Sequence, residues 1–350
     1  MNLTREEEGS AFAKGNGNIL AFQDALPDPL RVVLYVPRKK VVITGGAGFI
    51  GSHLVDALLD RYEVTVLDDF SSGKISNLVI ARRRYHGLSI IRGDIRDSRL
   101  VTHLLKGAAA VFHEAAIASV PKSIKRTSFT NEVNVDGTLN ILNAAVANHV
   151  EKLVYASSCA VYGDGGSRSR EDHLPAPASP YAASKLAGEY YCKSFYDAFG
   201  LETVILRYFN VYGPRQIPGP YSGVIVSFVE RALAGDPLVI FGDGSQSRDF
   251  VHVSDVVRAN LRALENNQSG GLVFNIGTGR ATTVNQLARM VKEVAQKTRL
   301  RIVNGKPRPG DIEHSCADTS FARRMLGYTA KVTLREGLCT FVEEKLRLLK

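Results

Sequence analysis

The 350-residue chain predicts an α/β fold: a doubly wound parallel sheet with a second, smaller mixed α/β domain at its C-terminal side. Three observations predict it. From Lys39, short β-branched runs alternate with stretches of apolar residues at helical spacing. The first of those runs ends in a glycine-rich turn that opens a helix. Beyond about Tyr208 the alternation weakens, and the Pro/Gly loop "GPRQIPGPYSG" interrupts it.

The elements follow in order. Residues 1–38 lack a clear period and are expected to be an N-terminal extension. "KKVVITG" is a β-branched run closed by glycine, as a buried parallel strand requires. "FIGSHLVDALLDR" has helical spacing, and "EVTVLDD" is a second strand. "LSIIRGD", "AAAVFHEAA" and "EKLVYASS" are the third to fifth strands, with helical segments such as "TLNILNAAVANH" between them. In the second half "GVIVSFVERALAG" and "VNQLARMVKEVAQKT" read as helices and "PLVIFGDG" as a strand. The expected division is a cofactor-binding domain over 39–208 plus about 249–265, and a substrate domain over about 209–248 and 266–350. Ligands of open α/β sheets bind at the carboxyl ends of the strands, under such a second domain.

Composition narrows the function. The chain is 45% hydrophobic and 23% charged, an ordinary globular balance. No run reaches the roughly 18 apolar residues of a membrane span, and the acidic start "MNLTREEEG" has no apolar core of a secretory signal. Cys159, Cys192, Cys316 and Cys339 are far apart with no CxxC pair, so neither a metal site nor a disulfide framework is expected, and a reducing cytoplasm fits. The net charge of +9 comes without a basic-and-aromatic recognition motif. It is read as a solvated surface that favours anionic ligands rather than nucleic acid.

"VVITGGAGFIGSHL" places Gly45, Gly48 and Gly51 between a strand and a helix, the Rossmann fingerprint for a dinucleotide pyrophosphate, with Phe49 and Ile50 at the helix start. Asp68 ends the second strand 23 residues after Gly45, where a carboxylate accepts the adenosine ribose hydroxyls. Asp69 beside it adds a charge that would repel a 2′-phosphate, so NAD is expected rather than NADP. In "IRGDIRD", Asp94 and Ile95 are expected to flank the adenine; the alternative for Asp94 is to cap the helix that starts near Ser98.

"SPYAASKLAGEYY" sets Tyr181 and Lys185 four residues apart, on one face of a helix. That spacing alone fits a solvated surface pair; behind a dinucleotide motif it fits a general base. A phenol near its ordinary pKa of about 10 is a poor base, and a lysine one turn away would lower it. Ser158, ending the fifth strand, is placed to hold the reacting hydroxyl.

These motifs, together with "GDIRD", "HEAA", "ASSCAVYGD", "LRYFNVYGPRQ", "SRDFVHVSD" and "RPGDIEHSCAD", occur in an order that resembles the extended short-chain dehydrogenase/reductases, and among them the UDP-hexose 4-epimerases. The resemblance runs from about Lys39 to the C-terminus. It implies Tyr181 as catalytic base, Lys185 as its partner and Ser158 as the hydroxyl-binding serine, with Ala115 of "HEAA" at the cofactor. It implies Asn210, Val224, Arg248, Arg308 and Asp311 as UDP-sugar ligands, and Ser315 as a gatekeeper at the sugar 2-substituent. A small residue there leaves room for an N-acetyl group. Cys159 and Ala160 stand where sugar-nucleotide dehydratases carry an acid, which disfavours dehydration. The implied reaction is NAD-dependent interconversion of UDP-glucose with UDP-galactose, and of their N-acetyl counterparts, through a 4-keto sugar. A UDP-glucuronate 4-epimerase or decarboxylase, or an NAD-sensing regulator, are the alternatives. A homodimer through helices near 128–147 and 181–199 is also implied.

Overall fold

Apart from the edge run Leu88–Arg92, the runs of the first half are buried on both faces, as a parallel sheet covered by helices on each side demands. Val41, Val42 and Ile43 are wholly buried and form β1 (Lys40–Thr44). In the computed structural model, which describes residues 38–85, 87–164, 168–217, 223–307 and 312–348, β1 leads through the glycine turn into α1 (Phe49–Leu58) and β2 (Glu63–Asp68). Next come α2 (Val79–Arg84), β3 (Leu88–Arg92), α3 (Ser98–Leu104) and β4 (Ala108–His113). The short helices α4 (Val120–Lys125) and α5 (Thr127–Asn131) run through a π-helical turn at Glu132–Asp136 into α6 (Gly137–Ala147). Then follow β5 (Lys152–Ser158), the long α7 (Pro180–Phe199) and β6 (Glu202–Tyr208).

The second half contributes β7 (Asn210–Tyr212), α8 (Val224–Ala234), β8 (Leu238–Phe241), β9 (Ser247–His252), α9 (Val253–Glu265) and β10 (Val273–Ile276). It ends with β11 (Ala281–Thr283), α10 (Val284–Val294), β12 (Ile302–Gly305), β13 (His314–Ser315), α11 (Ser320–Leu326) and α12 (Leu334–Leu348).

The large sheet has the order β10-β6-β5-β4-β1-β2-β3, and every neighbouring pair in it is parallel. This is the doubly wound order, reversing direction between β1 and β4, and the reversal opens a crevice at the carboxyl ends of the strands. One core packs α1, α9 and α11 on one face, through residues such as Leu54, Val256 and Ala322. A second packs α3, α6 and α7 on the other, through Val101, Ile141 and Phe195. A third core, with Phe228, Leu238, Leu287 and Phe341, holds the smaller domain together.

Two expectations need correction. The sequence pattern marks five strands for the first half, yet β6 is a sixth; Arg207 interrupts its apolar run, and only burial against Glu189 makes that residue a core residue. The stretch 266–350 was expected wholly in the smaller domain. β10 instead pairs with β6, and α11 packs into the core beside it, because Phe274, Ile276, Ala322 and Leu326 have their apolar partners there. The expected extension 1–38 falls almost entirely outside the described residues, as do Arg308 and Asp311.

Candidate active site

A cleft of about 300 Å³ lies at the carboxyl edge of β1, β2, β3 and β4. Gly45, Gly48, Phe49, Ile50, Gly51, Asp68, Asp69, Asp94, Ile95 and Ala115 all line it, so the structure brings every residue expected at the cofactor from these strand ends into one wall. The glycines are shaped for a close ligand. Gly45 takes a left-handed φ of +69°, and a Cβ there would sit 2.8 Å from the backbone nitrogen of Ala115. A Cβ on Gly51 would lie 2.3 Å from the carbonyl oxygen of Gly45. α1 starts at Gly48 with no side chain capping its first turn, which leaves its amides and the positive end of its dipole toward the cleft. That cradle fits the pyrophosphate of a dinucleotide.

Asp68, expected at the ribose, also has a structural role. Its Oδ2 accepts from the Ala47 amide at 2.9 Å, and its Oδ1 from the Phe70 amide at 2.8 Å, tying the glycine turn to the loop after β2. Burial raises its pKa against those two hydrogen bonds. Asp69 makes a local turn with the Ser71 amide at 2.8 Å. Asp97, not Asp94, caps α3 by accepting from Leu100. Asp94 instead grips Arg96 at 2.7 Å, and that guanidinium lowers its pKa.

The second cluster sits at the ends of β5 and α7. Ser179 caps α7, with Pro180 at the first helical position, and the Tyr181 amide donates to Ser123 Oγ of α4 at 3.1 Å. The helix start is thus fixed on both sides, and it brings the Tyr181 phenol close enough to Ser158 for that hydroxyl to lower its pKa. Lys185, one turn on, donates to the Ala156 carbonyl at 2.7 Å and lies 4.9 Å from the centre of the Tyr155 ring. Gly188 makes this possible, because a Cβ there would lie 2.1 Å from the Tyr155 hydroxyl. Electrostatically the pair differs from the simple expectation. Burial pushes Tyr181 up to about 12, and Ser158 pulls the other way; burial pushes Lys185 down to about 8, while Glu114 supports its charge. For both groups the loss of water outweighs what their neighbours give back.

A further cleft of about 300 Å³ opens between β7, α8, β8 and β9, and Asn210, Val224 and Arg248 line it with Phe241 and Phe250. Ser315 does not line this cleft. It stands on β13 opposite Arg248 of β9, with its hydroxyl 3.9 Å from the Cys159 thiol, next to Ser158. Burial pushes Cys159 up to about 11, so at neutral pH it is a neutral thiol. The loop after β7 joins the two clefts: Gln216 lines the second and Ile217 the first.

Sequence reasoning missed several residues that build the site. Asn134, in the π-helical turn, receives the Ile117 amide at 2.7 Å and donates to Ser184 of α7 at 2.9 Å, so it ties the cleft wall to the catalytic helix. π-turns concentrate at functional sites. His113 is wholly buried between Thr44 and Thr138. Thr138 spends its proton on the Asn134 carbonyl, so it accepts from Nε2–H, and Nδ1 accepts from Thr44. Asp249 takes the Thr278 and Gly279 amides and the Ala317 amide, anchoring the strand that carries Ser315. Glu114 lines the cofactor cleft and accepts from the Tyr208 hydroxyl at 2.7 Å. The signal available for His113, Glu114 and Asp249 was only their place inside quoted motifs, and Asn134 had none; their partners lie far away in the chain.

Residues 41–277 match the family described as "NAD dependent epimerase/dehydratase family". The UDP-glucose 4-epimerase of Mycolicibacterium smegmatis is 40% identical over 308 residues, covering 87% of this chain and 97% of its own. Among solved structures, the UDP-N-acetylglucosamine 4-epimerase of Methanobrevibacter ruminantium, in complex with UDP-N-acetylmuramic acid, is 39% identical with a TM-score of 0.85, covering 89% of this chain and all of that one. The UDP-glucuronic acid 4-epimerase of Bacillus cereus, bound to UDP-glucuronic acid and NAD, is 34% identical with a TM-score of 0.82, covering 88% of this chain and 99% of that one. A glycine cradle with no room for a Cβ, an acidic pair ending β2 and a match over most of the chain agree: this chain belongs to the NAD dependent epimerase/dehydratase family, and its cofactor is NAD.

Proposed function

We propose that the chain is an NAD-dependent UDP-sugar 4-epimerase that interconverts UDP-glucose and UDP-galactose and also accepts the N-acetylhexosamine pair. The observation that carries the reading is Tyr181 within reach of Ser158, with Lys185 one turn away on α7, beside a neutral Cys159 and Ala160 where a dehydratase needs an acid. Ser158 orients the sugar 4-hydroxyl. Tyr181 takes its proton, and Lys185 stabilises the phenolate. NAD, when bound, would take the C4 hydride and later give it back. The 4-keto sugar then turns about its diphosphate link and offers its other face, where C4 regains that hydride as Tyr181 returns the proton to the 4-oxygen. Asn210, Val224 and Arg248 hold the nucleotide end throughout, and arginine suits a diphosphate. Ser315 beside Cys159 supports the wider sugar range, since neither side chain is bulky.

The assembly belongs to the same reading. Of the two helical stretches expected at a dimer interface, 128–147 and 181–199, the second exposes Tyr190 at 59% and Phe199 at 60%; these are unusually apolar for free helix surface and support a homodimer through α7. Four free cysteines suit a reducing compartment such as the cytoplasm. Among the described residues no helix is long and apolar enough to cross a membrane.

Purified protein is incubated with UDP-glucose, UDP-N-acetylglucosamine and UDP-glucuronate in turn, and the products are read by NMR. The galacto isomer is expected from the first two. Turnover of UDP-glucose alone would remove the Ser315 argument, and turnover of UDP-glucuronate alone would move the enzyme to that substrate. With NAD supplied and no product from any of them, the chain would be a binding protein rather than an epimerase.

A further inference from the structure

Glu114 is a carboxylic acid that the reaction as described does not use, yet it stands where the cofactor cleft meets the catalytic pair. It follows β4 directly and lines the cleft. β5 lies between β4 and β6 in the sheet. Glu114 nevertheless reaches Tyr208 at the end of β6, whose hydroxyl donates to Oε1 at 2.7 Å. Asn260 of α9 fixes that hydroxyl in turn, with its own amide anchored on the Val256 carbonyl. The bridge crosses β5 near Ala156, the residue whose carbonyl receives Lys185.

The charges around it are few. His113 pairs with Tyr155, so Glu114 stands beside Ala156, whose carbonyl holds Lys185; Lys185 of α7 supports the charge of Glu114, Tyr208 bonds it from β6, and the uncharged Asn260 of α9 backs Tyr208. His113, next on the chain, is held on the other side of the sheet by Thr44 and Thr138. Glu189 also acts on Lys185, but its carboxylate is committed to Arg207 at 2.6 Å. Asp68, Asp69 and Asp94 line the same cleft but are held by the Ala47 and Phe70 amides, the Ser71 amide and Arg96, so Glu114 is the carboxylate of that cleft that supports Lys185. A buried lysine without a counter-charge sheds its proton.

We propose that Glu114 is a positioning residue of the epimerase reaction: its carboxylate, tethered by Tyr208 across β5, is the counter-charge that keeps Lys185 an ammonium beside Tyr181. Burial pushes Glu114 up to about 7, so it is partly protonated in the unloaded protein at neutral pH. It ionises when positive charge enters the cleft. The inference rests on the assignment of Tyr181 and Lys185 made above.

The test uses Glu114→Gln, which keeps an acceptor for Tyr208 and removes only the charge. NAD-free protein is titrated with NAD at pH 7 by calorimetry in two buffers of different ionisation enthalpy, which counts the protons released. Wild type is expected to release about half a proton more than E114Q. The alkaline limb of kcat should move about one pH unit lower in E114Q, a roughly tenfold loss above that limb with KM within about twofold. Tyr208→Phe, which removes a hydrogen bond that favours the carboxylate, should leave Glu114 more protonated before loading, raise the proton count above wild type and shift the limb in the same direction. It also decides the matter if E114Q fails to fold. An E114Q protein with the wild-type proton count and the wild-type limb would overturn the proposal. Tyr181→Phe separates the two readings. If Y181F is inactive and E114Q is normal, only the role of Glu114 falls; an active Y181F would remove the catalytic assignment beneath it.

Discussion

His113 is held between two threonine hydroxyls in the floor of the site, and burial pushes its imidazole down to about 3, with the Lys185 charge adding to the effect. The folded chain thus refuses a proton that the unfolded chain accepts below about pH 6.5. The contribution is fully present above that pH and is lost as pH falls toward the folded value, at about 1.4 kcal/mol per unit. His252, pushed down to about 4, adds to the same loss. Denaturant unfolding between pH 7 and pH 5 should show a stability slope steeper by about one proton in wild type than in His113→Gln. Equal slopes would mean that His113 is already charged when folded. At this scale the sequence was legible where chemistry is local. Tyr181 and Lys185 announce themselves by a four-residue spacing, and Gly45 by its place after a strand. Glu114 and Asp249 did not, because a carboxylate's role depends on donors that lie 94 residues away in the case of Tyr208 and 68 in the case of Ala317.

Among the elements, the glycine turn and α1 are the most tightly specified. A Cβ on Gly51 would meet the Gly45 carbonyl at 2.3 Å, and backbone cannot step aside as a flexible side chain can. Gly51→Ala should force α1 away from the turn, weaken NAD binding by tenfold or more and cost about 1–3 kcal/mol. Gly87→Ala is the control: its nearest neighbour would be 4.0 Å away, so binding and stability should stay near wild type. Isothermal titration with NAD and denaturant midpoints check both; an unaffected G51A would mean that the close packing is not what shapes the cradle. β1 to β5 were legible because each is a short run rich in β-branched and apolar residues with no charge inside it. β6 and β10 were not, since Arg207 and Asn275 sit inside them. Arg207 is neutralised there by Glu189, and Asn275 is satisfied by the Tyr162 hydroxyl and the Ser169 carbonyl.

For the whole molecule, the proposed dimer face gives a prediction. Tyr190 lies on α7, the helix that also carries Tyr181 and Lys185, so association and catalysis share one element. A carboxylate introduced at the centre of an apolar interface is desolvated without a partner. Tyr190→Glu should convert a dimer to a monomer in sedimentation velocity and lower kcat, while leaving the unfolding midpoint of the isolated chain little changed. A wild-type chain that sediments as a monomer would end the proposal; a dimer unaffected by Y190E would move the interface elsewhere.

The sequence by itself determined the alternation of strands and helices, the cofactor loop and the Tyr181–Lys185 register. Each of these depends on residues within a turn or two of one another, where backbone geometry and side-chain period already decide the outcome. Only the tertiary structure decided that β10 closes the large sheet, that Ser315 rests against Cys159, and that Glu114 meets Tyr208 across β5. It also decided the charge states of the catalytic pair. Those follow from how completely packing removes water, and that is a property of the folded whole.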